Sequence, residues 1–147
     1  MKRILPLLST LAFFLFAAAE ISAQCRTFVK NNCGEAMGEY IPGENFSAAK
    51  FMPGDEAELS MTFSKGEDYR LLVCAQSVLG DVAFKIKDTE GETLYDNAKH
   101  DFNASFDFRV PGTQELVLEI KVPESESSNN FSPQGCVAIL VGKKVTP

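Results

Sequence analysis

Four cysteines, a single histidine and a scatter of carboxylates are the residues of this 147-residue chain best suited to chemistry. Cys25, Cys33, Cys74 and Cys136 could serve as thiolates in a reducing compartment or as two disulfides in an oxidising one. A nucleophile needs a base within hydrogen-bond reach, and a zinc site needs several soft ligands. His100 lies in a polar stretch and supplies neither, so it reads as an exposed loop residue. Asp88, Glu90 and Glu92 surround Gly91, and Asp96 and Asp101 bracket a second polar stretch. Such oxygens could hold a structural calcium ion, yet turns recruit Asp and Glu for their own hydrogen bonds, and the spacing departs from the EF-hand loop. No catalytic residue, metal ligand or cofactor is assigned. Paired carboxylates for glycoside hydrolysis would have to converge across a cleft, and no pair does so by spacing alone.

The N-terminus decides between thiolate and disulfide. Lys2 and Arg3 form a basic start, Ile4 to Ala19 an apolar run, and Ile21-Ser22-Ala23 a small-residue cleavage site, which together read as a secretory signal peptide over residues 1–23. An uncleaved anchor would need about 20 apolar residues, and this run is interrupted by Pro6, Ser9 and Thr10 and closed by Glu20. A lipid anchor on Cys25 would need a small residue where Gln24 stands. The expected mature chain starts at Gln24 in an oxidising compartment, periplasmic or extracellular, with no membrane span left and all four cysteines in disulfides. Losing Lys2, Arg3 and Glu20 moves the formal charge from −6 to −7, which disfavours nucleic acid and anionic lipid surfaces as partners.

The elements that would position these residues are strands. Ala57, Leu59, Met61 and Phe63 alternate with polar residues, as do Val82, Phe84 and Ile86, then Phe106, Phe108 and Val110, then Leu116, Leu118, Ile120 and Val122. Period two places each set on one face of a half-buried strand. Tyr69 to Gln76 and Gly135 to Lys143 are apolar on both faces, as expected inside a sheet, and Thr93 to Tyr95 adds a short strand. Turns fall at Gly66, Gly80, Gly91 and Pro111-Gly112. No segment shows convincing helical periodicity, although Asn45 to Met52 could form a helical turn. Pro123 to Gln134 is polar and Ser/Asn-rich and reads as a long flexible loop. The expected fold is all-β, an antiparallel jelly-roll-like sandwich of seven to eight strands stapled by disulfides. Residues 24–147 form one domain, with 24–55 as an N-terminal segment packed on a sandwich core of 56–147. Leu59, Phe63, Val73, Phe84, Ile86, Phe108, Leu118 and Ile120 are its expected buried residues. Four cysteines allow three pairings. Cys25 with Cys33 as a local staple, leaving Cys74 with Cys136 between strands, is the expected one.

Residues 80–97, GDVAFKIKDTEGETLYDN, and the later SFDFRVPGTQELVLEIKV resemble the GOLD domain of Golgi cargo-associated proteins and the bacterial pre-peptidase C-terminal domain. Taken with Gln24-Cys25, Gly66-x-x-Tyr69-Arg70-x-x-Val73-Cys74 and Gly135-Cys136-Val137-Ala138, the chain resembles a group of exported bacterial proteins. The resemblance implies a small sandwich and an exported address, and brings no catalytic residues with it. The function expected is that of a non-enzymatic binding or interaction module with a protein or glycan partner in the cell envelope. A carbohydrate-binding module, with or without calcium, is the alternative. Sugar binding favours exposed aromatic faces; the chain has no Trp and only three Tyr. Tyr69 opens a core strand, so Tyr40 and Tyr95 are the possible ligand contacts. The triplets at Asn45, Asn103 and Asn130 match the glycosylation pattern and read as chance.

Overall fold

Two strands apolar on both faces need cover on both, and the fold is built around them. The computed structural model describes residues 19–126 and 132–145. Within them, helix α1 (Ala19–Asn32) precedes strands β1 (Tyr40–Pro42), β2 (Ser47–Phe51), β3 (Glu56–Phe63), β4 (Asp68–Ala75), β5 (Ala83–Lys87), β6 (Thr93–Asp96), β7 (Ser105–Arg109), β8 (Gln114–Lys121) and β9 (Gly135–Lys144). The strands form two antiparallel sheets. One has the order β1-β9-β4-β7, with β2 also paired to β9, and the other the order β3-β8-β5-β6. The all-β sandwich is thus present, and each of the seven strands read from the sequence is found.

The alternating residues meet between the sheets. Phe63, Leu71, Val73, Phe84, Ile86, Leu118, Ile120 and Val122 are buried there. Of the expected core, Leu59 and Phe108 are only half-buried. Phe108 packs against the core from β7, a strand at the sheet edge. It joins an aromatic run in which Tyr95 stacks on Phe106 at 3.9 Å, Phe106 on Phe108 at 5.4 Å, and Phe63 and Tyr69 complete the chain. Leu59 lies on β3, the edge of the four-stranded sheet.

A helix covers the outer face of β4 and β9, contrary to the expectation of none. Val29, Cys33 and Met37 form a second apolar cluster with Leu72, Ala138 and Leu140, and Phe28 and Phe46 pack against it. The helical stripe is Cys25, Val29 and Cys33, spaced i, i+4, i+8; two of its three members are cysteines, so the hydrophobic period is thin. Asn45 to Met52 is also not a helical turn. Ser47 to Phe51 pairs with Ile139 to Gly135 as a sheet strand, because its Ala48 is needed under the helix.

The cysteine pairing differs from the expected one. Cys25 bonds Cys136 and Cys33 bonds Cys74. Eight helical residues place Cys25 and Cys33 about 12 Å apart along the axis, beyond the reach of a disulfide, whose Cα atoms stand at most about 7 Å apart. Cys74 faces Ala138 across the ladder, so Cys136 is two residues further along on the same side of the sheet. Each sheet cysteine therefore takes a partner from the layer above. Both bonds fasten the N-terminal layer to the two strands it covers.

Of the signal-peptide reading, residues 1–18 lie outside the described residues, as do residues 127–131 of the polar loop. Among the described residues no helix is long and apolar enough to cross a membrane.

Candidate functional site

With the five-stranded sheet capped by α1, the outer face of the four-stranded sheet is the broad sheet surface that no helix covers among the described residues. Its side chains are the polar half of each alternation. Register sets them in rows. Glu58 of β3, Glu119 of β8, Lys85 of β5 and Asp96 of β6 lie side by side, and Glu56, Lys121 and Ala83 form the next row. Together with Ala98, in the 3-10 turn Asn97–Lys99 that follows β6, they line a hollow of about 640 Å³. Ala83 and Ala98 leave the room that larger side chains would fill.

Ion pairs tie the floor across the strands. Lys121 Nζ lies 2.7 Å from Glu56 Oε1, and Lys87 bonds Glu119 from the neighbouring row. The hydrogen bond from Lys121 holds the Glu56 carboxyl below its usual range and the Lys121 ammonium above its own. Glu58 stands directly opposite Glu119 and makes no ion pair among the described residues, although like charges facing across a ladder repel. The chemistry on offer is ion pairing and hydrogen bonding on a charged floor.

One wall of the hollow is held by a buried amide. Asn97 is fully buried; its Oδ1 accepts from the Phe84 N–H at 2.8 Å, and its Nδ2 donates to the carbonyls of Val82 and Asn103 at 3.1 and 3.3 Å. Asp96 caps the same turn by accepting from Ala98 N–H at 3.1 Å. Asp101 and Phe102 then take φ of 52° and 54°, a conformation costly for a ring-bearing residue, fixed as the N–H groups of His100 and Phe102 both donate to the Asn97 carbonyl. Sequence reading passed over Asn97 because a lone Asn in a polar stretch looks like a surface turn residue.

The residues singled out from sequence are spread around the molecule. Tyr40 is 8% exposed, and the Arg70 guanidinium lies 4.6 Å above its ring. Arg70 also donates both Nε and Nη2 to Asp107 at 2.7 Å and Nη1 to the Ala36 carbonyl at 3.1 Å. Tyr95 is half-buried, with its ring stacked between Phe106 and His100, the latter at 5.0 Å. His100 is exposed, as the sequence suggested. Asp88 Oδ1 accepts from the N–H groups of Glu90 and Glu92 at 2.9 and 2.8 Å, so it serves its own turn. Among the described residues no three metal-ligating side chains are grouped.

No family model matches the chain, and no curated protein matches it. Among solved structures, the crystal structure of Aeromonas hydrophila PliG, a periplasmic lysozyme inhibitor of g-type lysozyme, is similar with 10% identity and a TM-score of 0.48, covering 67% of this chain and 84% of that one. A likeness of that score has no bearing on what this chain does.

Proposed function

We propose that this chain is an exported, non-enzymatic binding module whose partner is a protein, and that the hollow on the outer face of the four-stranded sheet is where the partner binds. The observation that carries the reading is the contrast between the two outer sheet faces. One is closed by a helix fastened through two disulfides; the other presents a charged hollow of about 640 Å³. Export is supported by the organisation of residues 1–23, with cleavage after Ala23, and by the engagement of all four cysteines in disulfides. A protein is favoured over a glycan because the exposed side chains of the hollow are carboxylates, ammonium groups and alanines, its Phe84 and Ile120 being turned into the core, whereas sugar stacking needs exposed aromatic faces; Tyr40 is buried and Tyr95 half-buried.

The test is quantitative affinity capture from an envelope extract with the wild-type protein and the double charge reversal Glu58→Lys with Lys85→Glu. A partner captured by wild type should be lost at least tenfold by the reversal, and its binding should weaken as salt is raised. Capture that is indifferent to both changes rules the hollow out. Reproducible glycan-array binding that survives the reversal would favour the carbohydrate alternative instead.

A further inference from the structure

We infer that β3 is a self-association edge, pairing antiparallel with β3 of a second copy to join two four-stranded sheets into one. Edge strands are usually kept short or blunted because their unpaired N–H and C=O groups are templates for another chain. Here β6 has four residues, β7 and β2 five each, and β1 three. By contrast β3 has eight, and among the described residues it pairs only with β8.

The ladder fixes which groups are available. Val122 N–H donates to the Asp55 carbonyl at 2.9 Å, and this pair continues the register in which Glu56 faces Lys121. The Asp55 carbonyl therefore points to the β8 side, its N–H being taken by the Met52 carbonyl at 3.0 Å, and by alternation the N–H and C=O of 57, 59, 61 and 63 point to β8 as well. The N–H and C=O of Glu56, Glu58, Ser60 and Thr62 point the other way. Among the described residues, none of these takes part in a backbone hydrogen bond to a turn or loop.

The side chains of the strand complement a second copy of themselves. Both charges of β3, Glu56 and Glu58, lie in its first half, while the same face of its second half carries Ser60 and Thr62. A twofold axis at Ser60 sets Glu58 opposite Thr62, and one at Leu59 sets Glu58 opposite Ser60 and Glu56 opposite Thr62. In both cases each glutamate meets a hydroxyl and no glutamate meets its own kind. Because either register moves by an even number of residues, the faces also match. Ala57, Leu59 and Met61, half-exposed on the inward face, would meet their counterparts and extend the apolar row.

Sedimentation equilibrium of the purified, oxidised protein from micromolar to millimolar concentration tests this. A reversible monomer–dimer equilibrium is expected, and it should tighten as salt rises because each cleaved copy carries a net charge of about −7. Thr62→Glu brings two Glu–Glu pairs into either register and should weaken the dimer by about tenfold or more; Thr62→Lys should strengthen it. Ser60→Pro removes an outward N–H without touching the β8 ladder and should leave monomer. Circular dichroism checks that each variant is folded, and the opposed effects of Glu and Lys at one position keep the test decisive if Ser60→Pro is not. A protein that stays monomeric throughout, a dimer indifferent to all three substitutions, or an edge that pairs only with an extended peptide of another protein would overturn the inference.

Discussion

At the scale of single residues, two polar side chains do work that no sequence pattern announced. Asn97 satisfies one backbone donor and two backbone acceptors from a fully buried position. Asn97→Ala would leave the Phe84 N–H and Val82 carbonyl without partners, and each unsatisfied buried group costs about 1 to 3 kcal/mol. Urea denaturation should therefore show a loss of roughly 2 to 4 kcal/mol, and a loss under about 0.5 kcal/mol would mean the loop relaxes onto solvent. Arg70 joins β4 to β7, to the turn before β1 and to the Tyr40 ring. Its hydrogen bonds hold the Asp107 carboxyl below the ordinary 3.8, against the opposing effect of desolvation, and Tyr40 contributes a further bond. A carboxyl with a depressed folded value stabilises the fold above its unfolded value and loses that contribution as pH falls through the folded one. Stability should accordingly decline from about pH 4 downward, with Asp68, held low by Arg109, taking part. Asp107→Asn should be less stable at neutral pH and show a flatter acid limb. An unchanged limb would assign the acid sensitivity to other carboxylates.

At the scale of elements, the seven strands from β3 to β9 were legible because alternation and turn residues agree over each of them. The first layer was not. A helix with one narrow stripe of Cys25, Val29 and Cys33 has little periodicity of its own, and an isolated helix of this length is marginal in water, so its signal is tertiary. That signal was in fact present in the strands. Leu72, Cys74, Ala138 and Leu140 are apolar on the face turned away from the core, and a second apolar face demands a second cover. The cysteine pairing follows from that cover and could not be reached from spacing, since proximity in sequence favours Cys25 with Cys33 while the helix holds them apart. Non-reducing peptide mapping should return Cys25–Cys136 and Cys33–Cys74. In the chain-entropy picture, closing loops with sequence separations of 111 and 41 residues stabilises by about 5 and 4 kcal/mol respectively. Replacing Cys25 and Cys136 together by Ser should lower stability at least as much as replacing Cys33 and Cys74, a ranking that chemical denaturation can reverse.

At the scale of the whole molecule, one apolar core lies between the sheets and another outside them. Phe84 is 1% exposed at the centre of the first, so Phe84→Ala should cost about 3 to 5 kcal/mol by removing contacts and opening a cavity. Leu59→Ala on the half-open edge should cost less than Phe84→Ala, and equal losses would show that β3 is covered in solution. The hollow was illegible for a reason of the same scale. Glu58, Lys85, Asp96 and Glu119 each look like the polar half of an ordinary strand, and only the register of four strands sets them in a row.

The two disulfides also say something about the order of events in the cell. On the export proposed above, the cysteines reach the oxidising side in sequence order, so Cys25 and Cys33 are the first pair available to an oxidase, before β4 or β9 has arrived to dock the helix that would keep them apart. The earliest bond on offer is therefore the wrong one, and the first cysteine must wait for the last. Maturation should depend on thiol–disulfide exchange: in a host lacking a disulfide isomerase, non-reducing gels should show Cys25–Cys33 species accumulating at the expense of the native protein, and equal yields with and without the isomerase would mean that oxidation waits for folding.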